Sequence, residues 1–331
     1  MSETNKPAYF LVAVSTRENL DLCIKYGLAG FPSGESGSWT FCEIQEGDFV
    51  SFLFGARAHN LYRVTKKEAI RNAERMPPWK PLEFKETGSV YSFPFRLHLE
   101  QIRSFVEPII RTEFFYVAEN LLLRGGYRKT HFQADQTTLQ SVSEMGILNS
   151  EQPTNLVMPP YDTYALRFTQ SKELIKKPEV FRFQETILQS ALRRHLSIEA
   201  NLELLLSKIP ALDIKAESFE VLGEKALTQG HIDLMLKERT PKGISNKIPI
   251  EVKTKGATPE DVLQLCAYMD ELLGEAPIGI LIAADFGKKT TELALKSKVN
   301  LVRYALKANL KTAVTFKEIY EGLLLELVKP A

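Results

Sequence analysis

Cysteine and long apolar runs are both scarce in this sequence, and each scarcity excludes a class of protein. The three cysteines, Cys23, Cys42 and Cys266, are odd in number and lack the spacing of metal ligands. A reduced, cytoplasmic chain is therefore expected rather than a disulfide scaffold. No apolar run approaches the roughly 18 residues that span a bilayer, and the polar residues 1–7 contain no hydrophobic signal region. We expect a cytoplasmic protein without a membrane partner.

The chain also has almost no net charge. Its 42 Lys and Arg residues and 41 Asp and Glu residues give a formal net charge of +1. Proteins that bind nucleic acid nonspecifically are usually basic overall. A nucleic-acid enzyme of this composition must gather its basic side chains locally, and a metal site adds acidic side chains of its own. Composition alone does not predict such an activity.

The order of apolar runs and turn residues predicts two domains, as expected for 331 residues. Residues 1–145 predict a small mixed sheet curled into a barrel with peripheral helices. Residues 146–180 contain prolines and asparagines between weak patterns and predict a linker. Residues 181–331 predict the order α-β-β-β-α-β-α-β, a mixed sheet flanked by helices. The expected fold class is α/β, or α+β overall.

Periodicity and turn residues also predict individual elements. A strand is predicted over residues 9–14 and a helix over residues 17–26, ended by the glycine that follows. A helical stretch is predicted near residues 99–105, and another from about residue 178 to residue 196. A separate helix is predicted to begin at Ser197, its N-cap, and to run through Leu206.

Two carboxylates and a lysine on neighbouring predicted strands are the most informative feature of the chain. Asp233 follows a glycine turn on one strand, and Glu251 and Lys253 lie two apart on the next, so they share a face. Carboxylates hold hard cations through oxygen, and an ammonium can orient water or stabilise charge on a phosphate. Glu251 and Lys253 taken alone are more typical of a solvated strand face with an ion pair.

A strongly marked helix start follows these strands. Thr258 is an N-cap residue, a proline occupies the first helical position, and acidic residues fill the first turn. On that helix Gln264 and Tyr268 lie four apart and share a face. Taken alone, they are more typical of a polar helix edge and a half-buried aromatic.

The joint arrangement resembles the PD-(D/E)XK nuclease superfamily, and within it the NucS nucleases, over about residues 197–304. The matching motifs are Gly-x-Ile-Asp at Asp233, Glu-x-Lys at Glu251 and Lys253, and Gln-x-x-x-Tyr at Gln264 and Tyr268. The resemblance implies that Asp233 and Glu251 bind Mg²⁺, or Mn²⁺ as a substitute, with the Val252 carbonyl as a further ligand. Lys253 would position or activate the attacking water. Gln264 and Tyr268 would orient the site and the DNA backbone.

The same resemblance implies an acidic residue from an upstream helix at the metal site. Glu199 is the choice for this role, with Glu203 as the nearest rival. The alternative for Glu199 is a first-turn acid that stabilises the helix dipole.

Two further features of this region each have both a functional and an ordinary interpretation. The polar insert of residues 237–247 predicts a lengthened hairpin that contacts DNA or is merely solvated. His231 shares a strand face with Asp233, but it lacks a Cys or His partner at ligand spacing and is expected to be a neighbour rather than a ligand.

The N-terminal residues resemble the YTH and EVE group of PUA-like domains, which hold a modified base in an aromatic pocket. The resemblance covers residues 8–142 and depends on the strand and helix start of residues 9–20, on Trp79 after a strand, and on residues 131–137. Ala29 departs from the pattern, since the family usually has Trp there. The residues that the resemblance implies for the pocket are Trp79, Trp39, Phe31, Asn19, Ser15 and Asp135. For each aromatic residue, ordinary core packing is the alternative.

A basic loop and the two resemblances together suggest a function. A predicted glycine-containing loop carries the basic residues Arg124, Arg128 and Lys129. The loop is expected either to contact DNA phosphates or to be a solvated turn. A base reader joined to a nuclease implies a modification-dependent DNA endonuclease whose partner is methylated double-stranded DNA, with N6-methyladenine or 5-methylcytosine as the base. Cutting both strands needs two active sites, so a homodimer is expected. The alternatives are a repair nuclease for mismatched or branched DNA and a non-catalytic nucleic-acid-binding module.

Overall fold

The computed structural model describes residues 6–55, 57–84, 88–105, 130–148, 152–209, 215–227 and 230–328. The described chain is a mixed α+β structure, which confirms the expected fold class. It divides into two compact units. The N-terminal unit is Pro7–Arg182, and the C-terminal unit is Phe183–Ala331 together with Met1–Lys6. The segment predicted as a linker thus belongs to the N-terminal unit.

The N-terminal unit contains a seven-stranded sheet and three described helices. Its strands are β1 (Tyr9–Ala13), β2 (Leu28–Phe31), β3 (Phe49–Phe54), β4 (Arg57–Ala69), β5 (Leu82–Phe84), β6 (Ser89–Tyr91), β7 (Phe95–Ser104), β8 (His131–Ala134), β9 (Ile147–Leu148), β10 (Arg167–Thr169) and β11 (Val180–Arg182). Its helices are α1 (Arg17–Tyr26), α2 (Glu35–Glu43) and α3 (Gln136–Ser143), with short 3₁₀ turns at Ala73–Arg75 and Lys172–Leu174.

The sheet of the N-terminal unit has the order β2-β7-β4-β3-β1-β8, with β9 paired to β7. The pair β1–β3 is parallel and the other neighbours are antiparallel. Apolar side chains of β1, β3 and β4 pack against Leu139 and Val142 of α3. The helix predicted over residues 17–26 is confirmed as α1. The Thr16 side chain caps its start, and Gly27, at φ 57°, ends it in the left-handed conformation.

The helix predicted near residues 99–105 is wrong, because these residues continue strand β7. They pair with β4, with Leu99 opposite Val64. Leu99 and Ile102 are three apart and so imitate a helical stripe, but pairing with the long neighbouring strand overrides that local pattern.

In its described residues, the C-terminal unit contains a six-stranded sheet with helices between its strands, and one further two-residue strand outside this sheet. Its strands are β12 (Phe219–Leu227), β13 (Gly230–Glu238), β14 (Lys247–Ala257), β15 (Gly279–Phe286), β16 (Val299–Leu306), β17 (Val314–Thr315) and β18 (Leu323–Leu327). Its helices are α4 (Glu185–Leu196), α5 (Glu199–Leu206), α6 (Pro259–Glu271), α7 (Lys288–Lys296) and α8 (Phe316–Glu321), with a 3₁₀ turn at Ala216–Ser218.

The sheet order is β12-β13-β14-β15-β16-β18. Strands β14, β15 and β16 are parallel, and α6 and α7 make the two crossovers between them. The core between these helices and the sheet includes Leu265 and Tyr268 of α6, Leu281 of β15 and Leu301 of β16. This arrangement confirms the order predicted from sequence and adds β17, α8 and β18 after it.

The helix boundaries before β12 differ from those predicted. Helix α4 begins at Glu185, after the short strand β11, rather than near residue 178. Ser197 is not the N-cap of α5. It is the C-terminal cap of α4, where its hydroxyl donates to the Arg193 carbonyl at 2.7 Å. Helix α5 begins at Glu199 instead. In the part of the chain described here, no helix is both long and apolar enough to cross a membrane.

Candidate active site

Asp233 and Glu251 lie beside each other on the antiparallel strands β13 and β14. Leu234 lies opposite Ile250 in this antiparallel pair. The next opposing positions are therefore Asp233, one residue earlier on β13, and Glu251, one residue later on β14. The Val252 backbone N–H donates to Asp233 Oδ2 at 2.7 Å, which fixes the Asp233 carboxylate against β14. The structure thus brings together the two carboxylates predicted from sequence. Val252 contributes its N–H to Asp233, and a role for its carbonyl stays a prediction.

Lys253 lies at the centre of a group of acidic side chains. Its Nζ is 2.7 Å from Glu251 Oε1, 3.7 Å from Asp261 Oδ1 and 3.9 Å from Glu185 Oε1. We call Asp233, Glu251, Lys253, Glu185 and Asp261 the acidic cluster. Sequence reasoning did not identify Glu185 or Asp261 as members.

The pKa values of the cluster reflect burial and mutual repulsion. Burial raises the pKa of Asp233 well above its usual value, and the charge of Glu251 raises it further. Burial also raises the pKa of Glu251, although the hydrogen bond and charge of Lys253 oppose this. For Lys253, burial disfavours the charged form, but the hydrogen bond that it donates to Glu251 and the nearby carboxylates outweigh burial and raise its pKa. Three carboxylates therefore lie within 4 Å of one ammonium, and Asp233 acts on it through its charge.

One oxygen of this cluster is buried and has no donor among the described residues. Glu251 is 2% exposed. Its Oε1 accepts from Lys253, whereas no described group donates to Oε2. A buried acceptor without a partner is costly, and a hard cation bound by oxygen would satisfy it.

The carboxylate oxygens of the acidic cluster are of the type that binds a hard cation. They are not arranged around a single point. Within the described ranges, no three Asp, Glu, His or Cys side chains form a group that could already hold a metal ion. Lys253 donates to Glu251 Oε1, and Oε2 of the same carboxylate is the oxygen left for a cation. The set of oxygen donors and the unsatisfied Oε2 are the observations that fit a divalent ion.

Helix α6 places Gln264 and Tyr268 over the start of β13. Gln264 Nε2 donates to the Tyr268 hydroxyl at 2.5 Å, as their spacing predicts. Tyr268 is 1% exposed, and a Cβ added at Gly230 would lie 2.3 Å from its hydroxyl oxygen. Burial raises the pKa of Tyr268, and the charges of Glu251 and Asp233 raise it further. The phenol therefore lies near the carboxylates, and the glycine before Asp233 provides the space for it.

Glu185 reaches the cluster because it is the first residue of α4. Besides its approach to Lys253, its Oε2 accepts from the Thr254 N–H at 3.4 Å. Thr254 lies in a β-bulge, since the register of β14 against β15 shifts between Lys253 and Gly256. The Tyr304 hydroxyl donates to the Thr254 carbonyl at 2.8 Å and anchors the bulge. Bulges are frequent beside active sites, where they redirect a side chain.

The structure does not bring Glu199 or Glu203 to the acidic cluster. Both side chains are exposed on α5. Burial lowers the pKa of Arg239, and the negative charge of Glu199 opposes this effect. Glu203 Oε2 accepts from the Ala216 N–H at 3.2 Å. The acid on a helix before β12 that lies near Lys253 in the described chain is Glu185, one helix earlier, and its position in the first turn of an amphipathic helix was the signal that could have identified it.

The described contacts around the predicted insert, residues 237–247, are those of a hairpin. Strand β13 ends at Glu238 and β14 begins at Lys247, so the predicted lengthened hairpin is present. The Asn246 side chain donates to Glu238 Oε2 at 3.0 Å across its base. His231 is half-buried on β13, two residues before Asp233.

Two of the aromatic residues predicted for a base pocket pack inside the N-terminal unit. Trp79 is 7% exposed, and a Cβ added at Gly30 would lie 2.4 Å from its ring. The Arg96 guanidinium lies over the Trp79 ring, 5.4 Å from its centroid. Phe31 is buried in β2. Core packing, the alternative stated above, therefore describes the surroundings of both side chains.

Trp39 differs from these two, because it is half-buried on α2. Its ring lies edge-on to the His131 ring, with centroids 4.7 Å apart. His131 pairs with Val12 near the end of β1, and the exposed Ser15 and half-buried Asn19 follow from that same end. Asn19 donates its backbone N–H to the Thr16 hydroxyl at 3.1 Å, which caps α1.

Asp135 lies at the other end of β8 and acts as a helix cap. It accepts from the Thr138 N–H at 2.8 Å and from the Thr138 hydroxyl at 2.6 Å, at the start of α3. The structure therefore does not place Asp135 with Trp39. Arg124, Arg128 and Lys129, predicted to contact the DNA backbone, lie outside the described residues.

A mixed sheet that brings two carboxylates and a lysine together defines a candidate divalent-cation site. No protein-family model and no curated protein matches the sequence. Among solved structures, a repair endonuclease from Pyrococcus abyssi is similar at 22% identity and a TM-score of 0.25, over 39% of this chain and 53% of that one. EndoMS in its apo form is similar at 13% identity and a TM-score of 0.23, over 89% and 97%. The DNA modification-dependent restriction endonuclease AspBHI is similar at 13% identity and a TM-score of 0.21, over 90% and 75%.

Proposed function

We propose that the C-terminal unit is a Mg²⁺-dependent DNA endonuclease whose active site is the acidic cluster. The observation that carries this proposal is the convergence of Asp233 and Glu251 beside Lys253, with Glu251 Oε2 buried and without a described donor. Asp233, Glu251 and Glu185 would hold the ion. A bound Mg²⁺ would supply Lewis-acid stabilisation of charge on the phosphate oxygens.

The imbalance of charge supports a catalytic rather than a structural cluster. A structural ion pair balances its charges, because an uncompensated buried charge is strongly destabilising. Here Glu185, Asp261, Glu251 and Asp233 share the single ammonium of Lys253. Groups with pKa values shifted by burial and by like charges are typical of functional sites.

The protein side chains have separate tasks in this proposal. Lys253 is an ammonium in this arrangement, because its pKa is raised, so it donates hydrogen bonds to the attacking water or to a phosphate oxygen. The bulge at Thr254, anchored by Tyr304, fixes the direction of the Lys253 side chain. Tyr268, held by Gln264, and Gly230 set the distance between α6 and β13. The motif resemblance at Asp233, Glu251 and Lys253 supports DNA as the substrate.

The N-terminal unit would read a methylated base. Trp39 is the aromatic side chain with the most suitable surroundings, since it is half-buried, lies against His131 and is near the end of β1 that leads to Ser15 and Asn19. Stacking on an aromatic ring contributes about 1–3 kcal/mol per base, which offsets part of the few kcal/mol needed to extrude it. N6-methyladenine and 5-methylcytosine are the proposed bases, and a homodimer would cut both strands.

A plasmid digestion tests both parts of the proposal. Methylated and unmethylated supercoiled plasmids are incubated with the full chain and Mg²⁺, and with EDTA in place of Mg²⁺. The proposal predicts cleavage only with Mg²⁺ and mainly of the methylated plasmid. Equal cleavage of both plasmids would remove the base-reading claim, and absence of Mg²⁺-dependent cleavage would remove the nuclease claim.

Single substitutions distinguish acidic residues of the acidic cluster from an acidic residue outside it. Asp233→Asn and Glu185→Gln should each lower the cleavage rate by about 100-fold or more, as expected for loss of a group that holds a catalytic metal ion. Glu199→Gln is the matched control, because Glu199 is also the first residue of a neighbouring helix but is exposed and outside the cluster. It should cleave at the wild-type rate.

A further inference from the structure

Asp261 connects the start of α6 to the acidic cluster through its two oxygens. Its Oδ2 accepts from the Thr258 N–H at 2.7 Å and from the Thr258 hydroxyl at 3.0 Å, which closes a capping box. Its Oδ1 lies 3.7 Å from Lys253 Nζ, and the side chain is 16% exposed. One carboxylate thus caps a helix and faces the central ammonium at the same time.

The other acidic neighbours of Lys253 would change partners when a cation binds. Lys253 now donates to Glu251 Oε1 at 2.7 Å, while Glu185 and Asp261 lie beyond hydrogen-bond distance at 3.9 Å and 3.7 Å. A divalent ion held by Glu251 Oε2 and by Glu185 would draw the negative charge of these carboxylates away from Lys253. The hydrogen bond from the ammonium to Glu251 Oε1 would then weaken.

The Asp261 carboxylate is held at the start of α6 and cannot move toward a bound ion. Two donors from Thr258 hold its Oδ2 in place at the helix start, so its Oδ1 keeps the position facing Lys253. We infer that Asp261 is a positioning residue, which holds the Lys253 ammonium in place for the reacting phosphate once the cation occupies Glu251 and Glu185. This inference rests on the proposed function of the acidic cluster.

Three substitutions in the full chain separate positioning from helix capping. Asp261→Asn keeps an oxygen that can accept from Thr258 and removes the charge that faces Lys253. Asp261→Glu keeps the charge and places at this position the residue that capping boxes favour. Thr258→Val removes the capping hydroxyl and leaves the Asp261 charge in place.

Steady-state cleavage of plasmid DNA supplies the first readout. For Asp261→Asn we expect kcat to fall by about 10-fold to 100-fold, as for misplaced catalytic groups, while KM for DNA and the calorimetric affinity for Mg²⁺ change by less than about twofold. Asp261→Glu should restore most of kcat. Thr258→Val should lower the melting temperature by a few degrees and lower kcat much less than Asp261→Asn does, because the Thr258 N–H still donates to Asp261 Oδ2.

The second readout does not depend on cleavage. Acylation of Lys253 by an amine reagent is followed by peptide mass spectrometry with and without Mg²⁺. In wild type, Mg²⁺ should leave the reactivity of Lys253 low, because Asp261 holds the ammonium. In Asp261→Asn, Mg²⁺ should raise it by about 10-fold.

The outcomes distinguish this inference from the proposed function. Wild-type reactivity of Lys253 in Asp261→Asn with Mg²⁺, or a loss of kcat in Thr258→Val as large as in Asp261→Asn, overturns the positioning role and leaves the nuclease proposal intact. A fall in Mg²⁺ affinity in Asp261→Asn also overturns it, because Asp261 would then be a ligand. Absence of cleavage by wild type overturns the nuclease proposal, and the acylation contrast still decides the role of Asp261.

Discussion

The hydroxyl of Tyr268 on α6 lies directly over Gly230, the first residue of β13, at a distance that admits no side chain. A Cβ at Gly230 would be 2.3 Å from the Tyr268 hydroxyl oxygen and 3.0 Å from two of its ring carbons. This close approach holds the helix that carries Gln264 against the strand that carries Asp233. Packing and the candidate site are therefore coupled at this glycine.

Substitution of Gly230 should separate α6 from β13. Gly230→Ala should destabilise the chain by about 1–3 kcal/mol, as for overpacked core positions, and it should lower the cleavage rate. Adding Tyr268→Phe removes the nearest atom and should recover part of the lost stability. Calorimetric melting of both single variants and the double variant measures this coupling. Gly287→Ala is the control, since its Cβ would meet open space, and an equal loss there would contradict the explanation.

Removal of a buried charge from the cluster should stabilise the metal-free protein. Burial and the charge of Glu251 raise the pKa of Asp233, so the ionised form of Asp233 is unfavourable in the fold. Asp233→Asn keeps an oxygen that can accept from the Val252 N–H. We expect its melting temperature in EDTA to be a few degrees above that of wild type, while its cleavage is lost. A lower melting temperature would contradict the electrostatic account.

Glu68 in the N-terminal unit should make stability depend on pH. Burial alone would raise its pKa, but hydrogen bonds from Lys66 at 2.8 Å and from His98 at 2.6 Å outweigh burial and lower it. A carboxylate with a lowered pKa stabilises the fold above its unfolded value, about 4.3. That contribution is lost as the pH falls through the lower folded value. Urea unfolding of wild type and Glu68→Gln from neutral to acidic pH should show the difference shrinking as the pH falls. Glu74→Gln, at an exposed position, should track wild type throughout.

The three cysteines should differ in reactivity. Burial raises the pKa of Cys23 and of Cys42 to about 12, whereas Cys266 is half-buried on α6. Because the thiolate is the reactive form, a disulfide reagent at pH 8 should label Cys266 in the native chain and label all three after unfolding. Cys266→Ser should abolish the native reaction. Rapid labelling of that variant would show that Cys23 or Cys42 is accessible.

Much of the C-terminal unit could be predicted from sequence, because its signals are local. The alternation around Asp233 and Glu251 identifies two strands, and the Thr258–Asp261 capping box marks the start of α6. Residues two apart on a strand must share a face, so the meeting of Glu251 and Lys253 follows from the strand assignment.

The rest depends on tertiary structure. Glu185 joins the cluster because α4 begins there, and sequence patterns locate helix ends poorly. Asp135, which the resemblance implied for the base pocket, caps the start of α3. The resemblance implied Trp79 for the base pocket, but Gly30 beside its ring allows it to pack in the interior. Neither contact is visible in local spacing.

Binding of Mn²⁺, followed by the electron paramagnetic resonance signal of the free ion, tests the central claim most directly. The claim is that Asp233, Glu251 and Glu185 supply oxygen ligands to one divalent ion beside Lys253. We predict that wild type and Glu199→Gln bind Mn²⁺ with the same affinity, and that Asp233→Asn, Glu251→Gln and Glu185→Gln bind at least about 10-fold more weakly. Equal Mn²⁺ affinity in wild type and all three cluster variants would contradict the account.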